Sequence, residues 1–170
     1  MVELFKQDFV KNKQEFEKLK QKIKNVLGDN ICIEHVGSTA IPNMLGKNII
    51  DILVGANNEK EFENFSKLLT KIGYYPSLKS KTNIYQFFAS SISETTIGDN
   101  HIHLVVKNTD RFNEFILLRD YLLKNSDEAE KYSNHKKQLL TEGKIDRNEY
   151  RKIKSKYVTS LINKAKEALK

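Results

Sequence analysis

The sequence predicts an α+β fold: a mixed β-sheet flanked by helices, followed by a helical C-terminal portion. Three observations predict it. Residues 31–54, ICIEHVGSTAIPNMLGKNIIDILV, hold two strand-length apolar runs joined by a short loop. Amphipathic segments of helical period precede and follow them, and three such segments succeed one another after residue 109. Hydrophobic residues make up 39% of the chain, enough for a core, and no linker or internal repeat divides it. All of 1–170 is therefore expected to form one domain, with a sheet core over about 28–107 and a helical part over about 109–168.

Each element has its own signal. Phe9, Phe16, Leu19, Ile23 and Val26 recur at helical spacing, which predicts a helix over about 8–27, ended by Gly28-Asp29-Asn30. Strands follow at about 31–36 and 48–55. Asn57-Asn58 caps a helix over about 59–72, with Phe62, Phe65, Leu68 and Leu69 inward and Gly73 as its stop. NIYQFFAS, ending at Ser90, and HIHLVVK, at 101–107, read as an antiparallel strand pair with a long polar connection. Asn108 or Thr109 caps a helix over about 110–124. Ser126-Asp127-Glu128 opens another over about 127–142, broken by Gly143. Asp146 starts a last helix to about 168.

Composition narrows the function classes. No stretch approaches the ~20 apolar residues of a membrane span. MVELFKQDF carries acids and no apolar run, so it does not read as a leader. The single cysteine, Cys32, excludes an intramolecular disulfide, and a cytoplasmic location is expected. The net charge of +7 is uneven: residues 144–170 hold nine Lys or Arg against three acids, leaving only +1 elsewhere. That basic helix lacks a stacking pattern of aromatics, so only weak, salt-sensitive nucleic-acid binding is expected of it. Tyr150, Tyr157, Val158 and Leu161 should instead pack it on the domain.

The chemistry gathers around 35–51. Gly37-Ser38-Thr39 ends the first apolar run, and such a turn offers backbone N–H groups to a phosphate. Asp51 lies within the otherwise apolar NIIDILVG, where a buried acid needs a partner or a metal. His101 and His103 share one face of their strand. His35, at the end of the first strand, is expected to add a third imidazole, while Glu34 and Cys32 should face away from the pocket. One Asp with Mg²⁺ or Mn²⁺ is one expectation; histidine ligands would favour Zn²⁺, Mn²⁺ or Fe²⁺. Arg119, beside Asp120, offers either a bidentate phosphate fork or a structural ion pair. No paired cysteines, Walker loop or Ser-His-Asp order is present.

HVGSTAIPNMLGKNIIDILV resembles the signature of the GrpB family, within the nucleotidyltransferase superfamily. His35, Val36, Gly37, Ser38, Thr39, Pro42, Lys47, Ile49, Ile50 and Asp51 match it. Asn43 replaces the usual Gly and Asn48 the usual Pro. HIHLVV at 101–106, LLRDYL at 117–122, and Tyr150 with Lys154 extend the likeness over most of the chain. The resemblance implies a nucleotidyltransferase-like fold and a nucleotide or other phosphorylated ligand. It implies Asp51 as catalytic and metal-binding carboxylate. Gly37, Ser38, Thr39, Lys47, Arg119 and Lys154 would contact the phosphates. Active members of the superfamily place a second carboxylate two residues after the first, where this chain has Leu53. A third comes from a later strand, where a histidine of HIHLVV stands here. The resemblance is thus compatible with transfer activity or with a catalytically degenerate, ligand-binding descendant. Glu94 and Asp99 are the acids whose return to Asp51 would decide between them.

Overall fold

The computed structural model describes residues 3–91, 98–141 and 147–169. Helix α1 (Phe9–Leu27) starts where Asp8 accepts a hydrogen bond from the Lys11 N–H, one of the N–H groups a helix start leaves unpaired. Strand β2 (Cys32–Val36) and strand β4 (Ile50–Ala56) pair antiparallel, with Val36 opposite Asp51 and Glu34 opposite Leu53. Helix α2 (Glu59–Lys71) is capped by Asn58, and helix α3 (Asp110–Lys124) by Thr109. Strands β6 (Tyr85–Ala89) and β7 (Asn100–Val106) are the expected antiparallel pair. Helices α4 (Ser126–Thr141) and α5 (Arg147–Glu167) complete the helical portion. The breaks read at Gly143 and Asp146 lie outside the described residues.

Three two-residue strands escape periodicity: β1 (Phe5–Lys6), β3 (Leu45–Gly46) and β5 (Tyr75–Pro76). The first two pair with each other in a separate antiparallel ribbon. The main sheet has the order β2-β4-β7-β6-β5, in which only β4 and β7 run parallel.

Alternation along the strands sorts the two faces. Ile33, Ile50, Ile52, Val54, Phe88, Ile102, Leu104 and Val106 point to one side and form the main core with Phe16 and Ile23 of α1 and Phe62, Phe65 and Leu69 of α2. The opposite face is only partly covered. There α3 packs Phe112, Phe115 and Ile116 over Val36, Leu53 and Val105. A third cluster ties the helical portion together: Leu122, Ala129, Tyr132 and Leu161 with Ile41 and Met44 from the β2–β4 connection. Sheet residues left between α3 and this bundle floor an open cleft.

Candidate functional site

The floor of the cleft begins where β2 stops. Gly37 takes φ 73°, a backbone region L-residues avoid, and residues Ser38–Ala40 form a short 3-10 turn. A Cβ at position 37 would collide with Asp51 Oδ2, so the carboxylate lies directly against the turn. β3 passes over it so closely that a Cβ at Gly46 would strike Ser38 Oγ. Gly37, Ser38 and Asp51 consequently line one cleft of about 530 Å³. The intervening loop uses two asparagines at positive φ, Asn43 at 59° and Asn48 at 55°. Asparagine tolerates this conformation, whereas proline, with φ near −65°, could not occupy position 48 in this shape. Asn48 Oδ1 also accepts from Gln7 Nε2 at 2.9 Å, which fixes the loop to the N-terminal segment.

Asp51 meets both strand histidines. His101 Nδ1 donates to Asp51 Oδ1 at 3.2 Å, and His103 Nε2 stands 3.6 Å from the same oxygen. Burial pushes the Asp51 pKa up. The hydrogen bonds and positive potential of the two histidines outweigh it and hold the carboxyl well below the usual range. His101 Nε2 is buried with no partner among the described residues. His103 shares a hydrogen bond of 3.0 Å with the Tyr85 hydroxyl and packs against Phe87 and Phe115.

His35 does not join them. Register places Val36, Glu34 and Cys32 on the Asp51 face, so His35 points to the opposite side, stacked on Phe16 with ring centroids 4.7 Å apart. The alternation expected for β2 is correct but its phase is reversed. His35 Nε2 donates to Thr39 Oγ1 at 2.9 Å, and Thr39 Oγ1 donates to the Ile49 carbonyl. Thr39 is fully buried behind the turn; it braces the loop rather than lining the cleft. Burial and Arg119 lower the His35 pKa, against a pull upward from Asp51, to about 4. Glu34, expected to face away, accepts from Arg119 at 2.6 Å.

Among the described residues, Asp51 is the one carboxylate lining the cleft, and cations surround it. Lys47, Arg119, Lys136, Arg151 and Lys154 all line the cleft. Lys47 lies over the Tyr150 ring, 5.3 Å from its centroid. Of the two roles open to Arg119, the ion pair is the one seen: Nε donates to Asp120 at 2.8 Å, and a terminal nitrogen reaches Glu34 and the His35 carbonyl.

Lys136 is the residue that sequence reasoning missed. It is only 3% exposed, donates to the Leu45 carbonyl, and sits over the Tyr132 ring. Burial, reinforced by repulsion from Lys154 and opposed by Asp51, lowers its pKa to about 7. One turn earlier, Ser133 Oγ accepts from the Leu45 N–H at 3.1 Å. The signal was legible as spacing: Ala129, Tyr132, Ser133 and Lys136 form an i, i+3, i+4, i+7 stripe, all buried.

The donor set limits any metal. Leu53 shares the Asp51 strand face and is wholly buried beneath α3, so the place of a second carboxylate belongs to the core. Asp99 does not replace it: its carboxylate accepts from Ser90 Oγ and Asn100 Nδ2. Glu94 lies outside the described residues. Among the described residues, no group of three or more His, Cys, Asp or Glu is disposed to hold a metal ion. With His35 on the other face, the expected imidazole set is not assembled. These residues do not fit a two-ion centre. Asp51 alone could offer a carboxylate oxygen to one hard cation, which would need the rest of its oxygen ligands from outside the protein.

Comparison with known proteins establishes the family and the fold. The chain is 32% identical over 154 residues to the glutamate-rich protein GrpB of Alkalihalophilus pseudofirmus, covering 89% of this chain and 88% of that one. The crystal structure of the conserved protein GrpB from Enterococcus faecalis superposes with a TM-score of 0.81 at 24% identity, covering 99% and 100% of the two chains. A cytoplasmic RNA terminal U-transferase shares the fold more distantly, with a TM-score of 0.50 and 14% identity over 76% of this chain and 40% of that one. No helix among the described residues is long and apolar enough to cross a membrane. The GrpB protein family matches residues 5–164, and the chain belongs to that family, built on a nucleotidyltransferase-like fold.

Proposed function

We propose that the cleft binds a nucleoside triphosphate or similarly phosphorylated ligand, and that nucleotidyl transfer is the chemistry it serves. One observation carries the reading: among the described residues, five cationic side chains and a glycine-serine turn surround a single carboxylate in a cleft of ligand size. The turn and Lys47 hold phosphate oxygens, with Lys136 and Lys154 facing them from the helical side. His101 and His103 keep Asp51 ionised, so that it can hold one Mg²⁺ or Mn²⁺. When bound, that cation supplies charge neutralisation on the phosphates. Transfer would join an acceptor oxygen to the α-phosphorus and release pyrophosphate.

Leu53 favours a second reading. Without a paired carboxylate, the protein would bind its ligand as a regulatory or interaction protein and transfer nothing. The test is a melting-temperature panel of nucleoside triphosphates with Mg²⁺, Mn²⁺ and Zn²⁺, paired with a pyrophosphate-release assay across phosphorylated small molecules and RNA ends. Ligand binding to the native state should raise the melting temperature by mass action, and Asp51→Asn should abolish the metal-dependent part. Stabilisation with release supports transfer; stabilisation without release supports the second reading. A melting curve unchanged by every combination defeats both.

A further inference from the structure

We propose that a channel between α3 and α5 is the subsite for a second, phosphate-bearing substrate, a sugar phosphate with a free hydroxyl. The inference rests on reading the main cleft as the nucleotide site. The channel has a volume of about 270 Å³ and shares Phe115, Leu118, Arg151, Lys154 and Val158 with the cleft, so the two adjoin along these side chains.

Its charge is one-sided. Arg111 stands at the sheet side, its guanidinium 4.8 Å from the Tyr85 ring centroid and 5.1 Å from that of Phe115. Arg151 and Lys154 face it from α5. Glu114 is the acid on the wall, and Lys166 neutralises it with an ion pair of 3.0 Å. Among the described residues, no carboxylate lies within ion-pair distance of Arg111, Arg151 or Lys154. Three like charges converging on one channel call for an anion. Leu118, Val158 and Ile162 supply an apolar surface suited to the carbon face of a sugar. The volume sits just under the ~300 Å³ lower bound of ordinary ligand sites, which admits one phosphorylated sugar unit and excludes a duplex.

The test uses the full chain saturated with α,β-methylene-ATP and Mg²⁺. Ribose 5-phosphate should raise the melting temperature further, and ribose should not. Arg111 does not line the main cleft, so Arg111→Gln should keep the shift due to the analogue while weakening the ribose 5-phosphate increment at least tenfold in concentration. Arg111→Lys should restore part of it. A parallel arm with a 5′-phosphorylated dinucleotide tells a free sugar phosphate from a nucleic-acid end. If the analogue stabilises the protein but neither phosphate adds to it, or if Arg111→Gln leaves the increment intact, the channel is not this subsite and the nucleotide reading stands. If the analogue itself has no effect on the wild-type chain, the nucleotide reading falls and takes this inference with it.

Discussion

Replacing Lys136 by methionine should stabilise the free protein, in a way that depends on pH. The lysine is buried at 3% exposure, and its pKa falls from 10.5 to about 7. Between those values the unfolded chain holds a proton that the folded chain has released. Stability therefore rises with pH across the window from about 7 to 10.5, and below pH 7 the folded protein carries the full cost of a buried cation. At ~1.4 kcal/mol per pKa unit that cost is on the order of 5 kcal/mol. Methionine fills the lysine stem as far as Cε, one atom short of Nζ, and removes the charge. It also leaves the Leu45 carbonyl without its donor, a loss of about 1–3 kcal/mol. The net gain should be about 2–4 kcal/mol at pH 6, vanishing or reversing near pH 10. Urea unfolding of both proteins at pH 6, 8 and 10 measures it. The same variant should lose much of the stabilisation that a polyphosphate gives the wild type. A variant equally destabilised at all three pH values would refute the reasoning, since the Leu45 bond would then outweigh any burial cost.

Other outcomes follow from the same geometry. Gly37→Ala meets both a positive φ and the Asp51 carboxylate, so it should destabilise by about 1–3 kcal/mol and weaken nucleotide binding; urea unfolding and titration check the two effects. His35 is folded with a pKa of about 4 against an ordinary 6.5. The unfolded chain therefore takes up a proton first on acidification, and stability should fall from pH 6.5 toward pH 4. His35→Gln should flatten that limb in a pH series of melting curves. Nucleic-acid binding through α5 should be weak and should drop steeply between two salt concentrations. Tight, salt-tolerant binding to an oligonucleotide would instead make nucleic acid a substrate.

The fold was legible because most of its elements carry strong local signals. Asn58 and Thr109 cap helices as expected, and the run around Asp51 reads as a strand even with the acid inside it. The two-residue strands were not legible, since a pair of residues has no period; β3 exists because β1 and α4 hold it. The site was half legible. Gly37, Ser38, Asp51, His101 and His103 come together because strands β2, β4 and β7 are adjacent. His35 was misplaced because alternation gives two faces without saying which one meets solvent. That choice is made by Phe16 of α1, 19 positions earlier, which claims the imidazole for the core. Lys136 escapes a sequence reading because a lysine is rarely buried and one in a helical stripe reads as a solvated residue.

Leu45 bonds α4 through both its N–H and its carbonyl, and its neighbour Gly46 arches over Ser38. The arch is thus mechanically slaved to the helical half of the molecule. Any hinge that swings α4 away from the sheet drags the arch off the serine and uncovers the turn. If the turn holds a phosphate as proposed, opening for ligand entry and loosening of that hold would be one motion. The Leu45 amide, whose acceptor is the Ser133 hydroxyl on α4, is its natural reporter: slow hydrogen exchange marks the shut state, and exchange should slow further when a ligand holds the two halves together.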